Sequence, residues 1–265
     1  MLKNEEDIIN DTFPLSFRQR QIIEVVSRKG FDTVEALANE MNCSTATIRR
    51  DLNILNRAGL IQRVTGGAKA NLQSIPVTRR EALSFAEEKK RIGIAAASLV
   101  SDYETIGINS GTTAMALANY LLDKRGLTVV TAHLEIADFL SRNTDFDIIQ
   151  LGGRIQSRVP AVVGDYAVEM IRSFIFDKVF IGVVALNPQY GLMTNFLDQA
   201  AISRSMIDAA RKTIVIVDSS KFYKRSGATI APFNKIDILI TDGKIKENPD
   251  IYKDLQSTGV DIMLV

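Results

Sequence analysis

Side chains suited to contacting nucleic acid are concentrated between Ser44 and Leu52. The adjacent residues Arg49 and Arg50 carry planar guanidinium groups, which donate paired hydrogen bonds to a guanine edge or to a phosphate. Thr45 and Thr47 add small hydroxyls that fit beside bases and phosphates. Paired arginines and hydroxyls in so short a stretch are typical of a helix that enters a DNA major groove.

The same stretch has the apolar spacing of a helix. Ile48, Leu52 and Leu55 recur at intervals of three or four residues and predict a single buried stripe. A serine precedes that stripe, where its hydroxyl can accept a hydrogen bond from a free backbone N–H of the first turn. The polar side chains must then point away from the stripe. The predicted DNA contacts of this helix are Ser44, Thr45, Thr47, Arg49 and Arg50.

The preceding residues predict the rest of a helix-turn-helix. An apolar pattern of helical length runs from Leu15 to Lys29 and stops at Gly30. Thr33 then begins a second short helix, and Met41 to Cys43 forms a tight turn into the helix that starts at Ser44. Two short helices joined in this way are the core of many DNA-binding domains.

A β-hairpin is predicted directly after these helices. A helix stop at Ala58-Gly59 is followed by one strand over 61–64 and by a returning strand over 68–70. Such a hairpin would make the domain a winged helix-turn-helix. Arg63 and Lys69 lie on the wing and are predicted to contact phosphates.

Charge is distributed unevenly along the 265 residues, although the formal net charge is only +1. Residues 16–70 hold nine Lys or Arg against five Asp or Glu, and residues 1–15 are net negative. The remainder of the chain is balanced. A positive field confined to the predicted winged helix-turn-helix favours DNA, because phosphate contacts release bound counterions.

Composition narrows the class of protein. No stretch approaches the roughly 18 uninterrupted apolar residues of a membrane span, and the acidic N-terminus lacks the apolar core of a signal peptide. The single cysteine, Cys43, excludes an internal disulfide and fits a cytoplasmic protein. Cys43 is either a redox switch or a small hydrophobic side chain in the turn. With one cysteine and one histidine, no metal or other cofactor is predicted.

Five motifs of this N-terminal region resemble the DeoR family of bacterial transcriptional repressors. Because they occur in the same order and at the same spacing, the resemblance is specific. They are Arg18-Gln-Arg-Gln-Ile-Ile-Glu24, Val34-Glu-Ala-Leu-Ala38, Thr47-Ile-Arg-Arg-Asp-Leu-Asn53, Gly59-Leu60 and Val64-Thr-Gly-Gly67.

Apolar strand patterns alternate with helical patterns through the second half of the chain. This alternation predicts an α/β fold with a mostly parallel sheet covered by helices. The predicted strands are 105–108, 127–130, 146–151, 178–181, 213–217, 236–240 and 260–264, and the predicted helices are 81–100, 112–122, 134–142, 166–173 and 199–211.

Anion-binding groups follow three of these strands. Ligands of parallel α/β sheets bind beyond the carboxyl ends of the strands, and hydroxyls with free N–H groups at a helix start can surround an anion. Arg154 and Lys221 would add positive charge. The predicted effector contacts are Asn109, Ser110, Gly111, Thr112 and Thr113 in one loop, Gly152, Gly153 and Arg154 in the second, and Lys221 in the third.

This half also resembles the DeoR sensor domain, whose fold is related to ribose-phosphate isomerase and glucosamine-phosphate deaminase. The resemblance implies that the chain senses a sugar phosphate through residues 110–113 and Lys221. The family usually has Asp at Asn109 and Lys at Ser203, and these departures leave room for a different acid or phosphate. His133 is either a substitute ligand contact or an ordinary capping or surface histidine. Further departures are Ala132, Ala161 and Ala201, where the family has Asn, Ser and often Glu.

Together the sequence predicts a cytoplasmic transcriptional regulator that represses genes of sugar or sugar-derivative use. We expect a phosphorylated sugar or related acidic metabolite to relieve repression, with positive control of the same genes as an alternative. We also expect operator DNA to be bound by at least a homodimer, either a dimer or a tetramer. One alternative is a sugar-phosphate isomerase or deaminase with a DNA-binding appendage; another is a DNA-binding structural protein without a ligand. The predicted parts are a tail (1–15), the winged helix-turn-helix (16–70), a linker and helix start (71–88) and an α/β effector-sensing domain (89–265).

Overall fold

The computed structural model describes residues 16–57, 60–70, 85–156 and 159–265. The chain forms two compact units, Met1–Ser84 and Phe85–Val265, so the first turn of the helix around Lys89 belongs to the second unit. The predicted helix stop at Ala58-Gly59 and the predicted linker over 71–78 lie outside the described residues. Within the described part of the chain, no helix is long and apolar enough to cross a membrane.

The first unit is a helix-turn-helix with a small antiparallel sheet. The sheet has the order β1-β3-β2, in which β3 pairs with both of its neighbours. In chain order the elements are α1 (Phe17–Lys29), β1 (Phe31–Thr33), α2 (Val34–Glu40), α3 (Thr45–Arg57), β2 (Ile61–Val64) and β3 (Gly67–Ala70). The predicted helices and hairpin are therefore present, and β1 is an additional strand.

Strand β1 is not predicted from the sequence because its pairing depends on a close approach between the backbones of β1 and β3. Its three residues are too few for a visible alternation, and they join the sheet only because Gly67 has no side chain. A Cβ atom at Gly67 would lie 2.1 Å from the carbonyl oxygen of Asp32. One apolar cluster then holds the unit together, with fully buried side chains from all three helices: Ile22, Val26, Leu37, Ile48, Leu52 and Leu55.

The second unit alternates strands and helices. Its helices are α4 (Ala86–Ser98), α5 (Thr112–Ala118), α6 (Leu134–Asn143), α7 (Asp165–Arg172), α8 (Leu197–Asp208) and α9 (Pro249–Ser257). Its strands are β4 (Thr105–Ile108), β5 (Thr128–Thr131), β6 (Asp147–Gln150), β7 (Arg154–Gln156), β8 (Ala161–Val163), β9 (Lys178–Ile181), β10 (Ala185–Asn187), β11 (Gly191–Thr194), β12 (Thr213–Ile216), β13 (Ala228–Ala231), β14 (Ile238–Thr241) and β15 (Asp261–Leu264).

Seven of these strands form a parallel sheet in the order β15-β14-β12-β9-β4-β5-β6. Side chains of β4 and β12 pack with α4, α5 and α6 in one apolar cluster, and α7, α8 and α9 contribute to a second. Strands buried on both faces give continuous apolar runs instead of alternation, as in Thr213–Ile216, where every residue is buried. The parallel α/β prediction is confirmed.

Several elements differ from the sequence prediction. Helix α5 ends at Ala118 instead of residue 122, because Tyr120 and Leu121 donate to carbonyls three residues back and tighten the chain into turns. The short strands β7, β8, β10, β11 and β13 and the helix α9 were not predicted. These strands belong to two small antiparallel sheets whose three- and four-residue members are too short for a periodic signal.

Candidate functional site

Helix α3 begins with the predicted serine cap. The hydroxyl of Ser44 accepts a hydrogen bond from the backbone N–H of Thr47 at 3.1 Å, and the two side-chain oxygens lie 2.8 Å apart. Ser44 is exposed and Thr47 is half-buried. Both hydroxyls therefore already serve the helix start, and each keeps hydrogen-bonding capacity for a phosphate.

A buried carboxylate fixes α3 against α1. Asp51 is 4% exposed and accepts hydrogen bonds from Arg18 Nε at 2.7 Å and from Gln19 Nε2 at 2.9 Å. The hydrogen bond with Asp51 also raises the pKa of Arg18. Since a buried charge without partners is costly, these bonds set the rotation of α3 about its axis. The rotation in turn determines which side chains face solvent.

The outward face of α3 carries the predicted contact residues. Thr45, Arg49 and Arg50 are exposed, while Ile48 and Leu52 on the opposite face are fully buried. Consecutive arginines project along this face from the N-terminal half of the helix. The helix thus presents guanidinium donors and a hydroxyl on a rigid support, as direct recognition of base edges requires.

The wing is joined to α3 by side-chain hydrogen bonds that the sequence did not reveal. Arg63 on β2 donates from its backbone to Asn56 Oδ1 at 2.8 Å and from its guanidinium to Asn53 Oδ1 at 2.6 Å. Lys69 on β3 is exposed, opposite Gln62 in the register. The wing therefore offers one cation held against α3 and another that is free to extend into solvent.

The second unit has a small cavity at the carboxyl ends of its central strands. Asn109 and Ser110 line it directly after β4, and Ala132 lines it after β5. Its volume is about 10 Å³, which is what a single water molecule needs. A sugar-sized ligand would therefore require the surrounding loops to move. The rest of the lining is Ala161, Val162, Val163, Gln199, Ile202 and Ser203.

Asn109 organises the floor of this cavity. Its Nδ2 donates to the carbonyl of Gly182 at 2.8 Å and to Ser203 Oγ at 3.2 Å, and its Oδ1 accepts from the backbone N–H of Gly182 at 2.9 Å. A carboxylate could accept the last bond but could not donate the other two. The two departures from the DeoR pattern, at positions 109 and 203, thus form one neutral hydrogen-bonded pair.

The predicted effector contacts are only partly brought together. Asn109 and Ser110 line the cavity, and Gly111, Thr112 and Thr113 follow them into the start of α5. Gly152 donates to Met170 Sδ at 3.2 Å, and Gly153 lies close to β8. Arg154 forms an ion pair with Asp198 on α8, and Lys221 ends a 3-10 turn after β12. Of the nine predicted contacts only Asn109 and Ser110 line the cavity, which the spacing alone could not reveal; Gly111, Thr112, Thr113, Gly152, Gly153, Arg154 and Lys221 do not.

The sequence did not identify the cavity residues Gln199 and Ser203 as site residues, and it did not predict that His133 is buried. Gln199 donates from its Nε2 to Gln156 Oε1 at 3.0 Å and accepts from Thr194 Oγ1 at 2.8 Å; no sequence pattern distinguished it from an ordinary helix residue. The sequence marks Ser203 only as a departure from the family pattern. His133 occupies the N-cap position of α6, although its side chain makes no cap hydrogen bond. It is 4% exposed and therefore not a surface histidine, and burial lowers its pKa to about 4.

A larger groove lies near the amino ends of the strands. It has a volume of about 560 Å³ and is lined by residues that precede β9 and β12, among them Arg172, Arg204 and Arg211. Ligands of parallel α/β sheets bind at the carboxyl ends of strands. The cavity of Asn109 and Ser203 is therefore the candidate ligand site despite its smaller size. Among the described residues no cluster has the ligands of a metal site.

An exposed recognition helix in one unit and a small polar cavity at the strand ends of the other are the features of a DNA-binding transcriptional regulator with a sensor domain. Residues 18–74 match the DeoR-like helix-turn-helix domain, and residues 84–243 match the DeoR C-terminal sensor domain. The chain belongs to the DeoR family, which consists of transcriptional regulators rather than enzymes.

Named relatives share most of their length with this chain. The glycerol-3-phosphate regulon repressor of Escherichia coli K12 is 32% identical over 227 residues, covering 85% of this chain and 90% of the relative. The transcriptional repressor AccR of Agrobacterium fabrum is 31% identical, covering 85% and 88%. Ribose 5-phosphate isomerase A from Methanocaldococcus jannaschii superposes with a TM-score of 0.40 and 17% identity, over 54% of this chain and 56% of that chain.

Proposed function

We propose that this protein is a transcriptional repressor that binds operator DNA through α3 and the wing and is released by a small phosphorylated sugar or a related acidic sugar derivative. The exposed pair Arg49 and Arg50, carried on a helix whose opposite face is fully buried, is the observation that carries the DNA-binding part. Arginine pairs with guanine more often than any other side chain does in specific contacts.

The wing would supply phosphate contacts. Lys69 extends from β3 into solvent, and Arg63 is held beside Asn53 of α3. Contacts of this type fix the protein's register on the duplex without reading sequence. Two copies of α3 must lie about one DNA turn apart to read a symmetric site, so the repressor acts as a homodimer or a homotetramer.

The effector would bind at the carboxyl ends of β4, β6 and β12. Asn109, Gln199 and Ser203 offer neutral donors and acceptors that suit sugar hydroxyls. Ser110, Gly111, Thr112 and Thr113 with Lys221 would hold the acidic group, and Gly152, Gly153 and Arg154 would close the site once the loops have moved. Relatives of 31–32% identity that are named as repressors, one of them of a glycerol-3-phosphate regulon, support both the sign of regulation and the ligand class.

Selection of duplex DNA from a random library, followed by fluorescence anisotropy, tests this proposal. The purified full chain should enrich a symmetric site and bind it at least a thousandfold more tightly than random DNA. A panel of sugar phosphates and sugar acids is then added to the complex. At least one compound should weaken DNA binding, whereas failure to enrich any sequence would contradict the proposal.

A further inference from the structure

Two consecutive residues in the first turn of α4 are bound to loops that follow the core strands β12 and β14. Lys89 and Asp218 form an ion pair at 4.0 Å in which the side chains are 5% and 1% exposed. One position earlier, Glu88 accepts from Lys244 Nζ at 2.6 Å. The same Lys244 lies 5.1 Å above the ring of Phe85. We call the contacts of Glu88 and Lys89 the α4 clamp.

The two loops are in turn fastened to each other. Asp242, which is fully buried, accepts from the backbone N–H of Ser219 at 2.7 Å and from its hydroxyl at 2.9 Å, and also from the backbone N–H of Lys244. Asp218 accepts from the backbone and hydroxyl of Ser220. Any displacement of residues 218–221 is therefore passed to both partners of the clamp.

The clamp contacts α4 close to the first residue of the second unit. Phe85 is the first residue of the second unit and has a left-handed backbone (φ 57°), which non-glycine residues rarely adopt. It directly follows the segment that continues from the DNA-binding unit. Further along α4, a Cβ atom at Gly93 would lie 2.7 Å from the backbone of Ala116 on α5. Helix α4 thus contacts the helix after the β4 loop as well as the loops after β12 and β14.

We propose that the first turn of α4 receives the effector signal, and that Glu88 and Lys89 transmit to it the movement of the loops after β12 and β14. The inference rests on the proposed function, because it assumes that the acidic group of the effector contacts Lys221 in the loop after β12. The cavity after β4 has room for about one water molecule, so a ligand that reaches from this cavity to Lys221 must displace loops. Both side chains are buried, so water cannot replace their mutual attraction if Lys89 and Asp218 separate, and α4 is expected to follow the loop.

The pKa values of the outer pair agree with a persistent contact. The hydrogen bond between them lowers the pKa of Glu88 and raises that of Lys244. Both groups therefore remain charged across the neutral range. The clamp is a positioning device, and its residues make no contact with the ligand.

Hydrogen–deuterium exchange on the full chain tests the clamp, with inorganic phosphate as the probe. Wild-type protein is compared with Glu88→Gln, Lys244→Met and the control Lys246→Met, whose lysine lies on the same 3-10 turn but over Tyr252. In the wild type and the control, phosphate should alter exchange of residues 217–222 and of residues 85–92. In Glu88→Gln and Lys244→Met the change at 217–222 should persist while the change at 85–92 is reduced, because only the pair of Lys89 and Asp218 still connects α4 to the loops. A wild-type response at 85–92 in both variants would overturn the proposal.

The same variants without phosphate separate the clamp from the ligand site. Loss of the outer ion pair should accelerate exchange of residues 85–92 by about two- to fivefold, relative to wild type and Lys246→Met. If phosphate leaves the exchange of residues 217–222 unchanged in the wild type, the proposed anion site is wrong. The clamp is then tested by the comparison without phosphate alone. Unaltered exchange at 85–92 in both variants would then overturn the clamp. A third variant, Lys89→Met, should show the smallest phosphate-dependent change in exchange at residues 85–92, provided that it folds.

Discussion

Asn109 Nδ2 donates a hydrogen bond to Ser203 Oγ at 3.2 Å, which joins the loop after β4 to helix α8 inside the candidate effector cavity. The same amide also bonds both the N–H and the carbonyl of Gly182. The pair is neutral, and it occupies the two positions at which the DeoR pattern has Asp and Lys. A change at one of these positions therefore alters the environment of the other.

Asn109→Asp should destabilise the second unit. The new carboxylate would face the carbonyl of Gly182 without a proton to donate, and leaving a buried acceptor unpaired costs about 1–3 kcal/mol. Urea unfolding should report a lower free energy of unfolding by that amount. Asn109→Asp combined with Ser203→Lys should recover part of the loss through an ion pair. Additive effects of the two substitutions would show that positions 109 and 203 are not coupled.

Arg50→Ala should reduce discrimination between the selected operator and random DNA. Arg50 is exposed on the outward face of α3, and a bidentate contact with guanine contributes about 1–3 kcal/mol of discrimination. Fluorescence anisotropy on both duplexes measures the ratio of affinities. Arg57→Ala is the matched control, since Arg57 is exposed in the last turn of the same helix. An unchanged ratio in Arg50→Ala would exclude Arg50 from base recognition.

Lys69→Ala should weaken binding to all DNA sequences alike. A phosphate contact carries no sequence information, and its loss should reduce the slope of log affinity against log salt by about one unit. Titrations at several salt concentrations measure that slope. Arg63→Ala should lower it too and should also release Asn53, which accepts from the Arg63 guanidinium. A changed sequence preference in Lys69→Ala would instead indicate base contact by the wing.

Stability should fall in mild acid because of His133. Burial lowers the pKa of its imidazole to about 4, against about 6.5 in the unfolded chain. The unfolded state binds more protons between these values, so the favourable contribution is complete above pH 6.5 and is lost as the pH falls toward 4. Its size is about 3 kcal/mol. Urea unfolding of wild type and His133→Leu at pH 7 and pH 4.5 should show a smaller loss in the variant; equal losses would contradict the assignment.

Long periodic segments were predictable from sequence, and contacts between distant segments were not. Helix α3 was predicted from Ile48, Leu52 and Leu55, because one helix repeats its own apolar face. The hydrogen bonds of Asp51 with Arg18 and of Asn53 with Arg63 join residues far apart in the chain. Likewise, Gln199 reaches the cavity only because α8 packs beside the β4 loop. No local pattern carries that information.

Thr112→Val combined with Lys221→Ala should abolish the response to an effector while leaving basal DNA binding intact. Both residues lie in the second unit, outside the helix-turn-helix; Thr112 begins α5 after β4, and Lys221 ends the 3-10 turn after β12. A ligand present at a hundred times its dissociation constant stabilises the folded state by about 2.7 kcal/mol. Thermal unfolding of the wild type with the effector from the compound panel should therefore show a higher melting temperature, and the double variant should show none.

The control for this double variant is Lys246→Ala, which removes an exposed lysine from the same unit without changing the candidate site. It should retain the wild-type shift in melting temperature. Because linkage between two ligands is reciprocal, operator DNA must change effector affinity by the factor with which the effector changes DNA affinity. Calorimetric titration of the effector with and without operator measures that factor. If the double variant still binds the effector with wild-type affinity, the effector site does not include Thr112 and Lys221, and the anion is held elsewhere on the sensor.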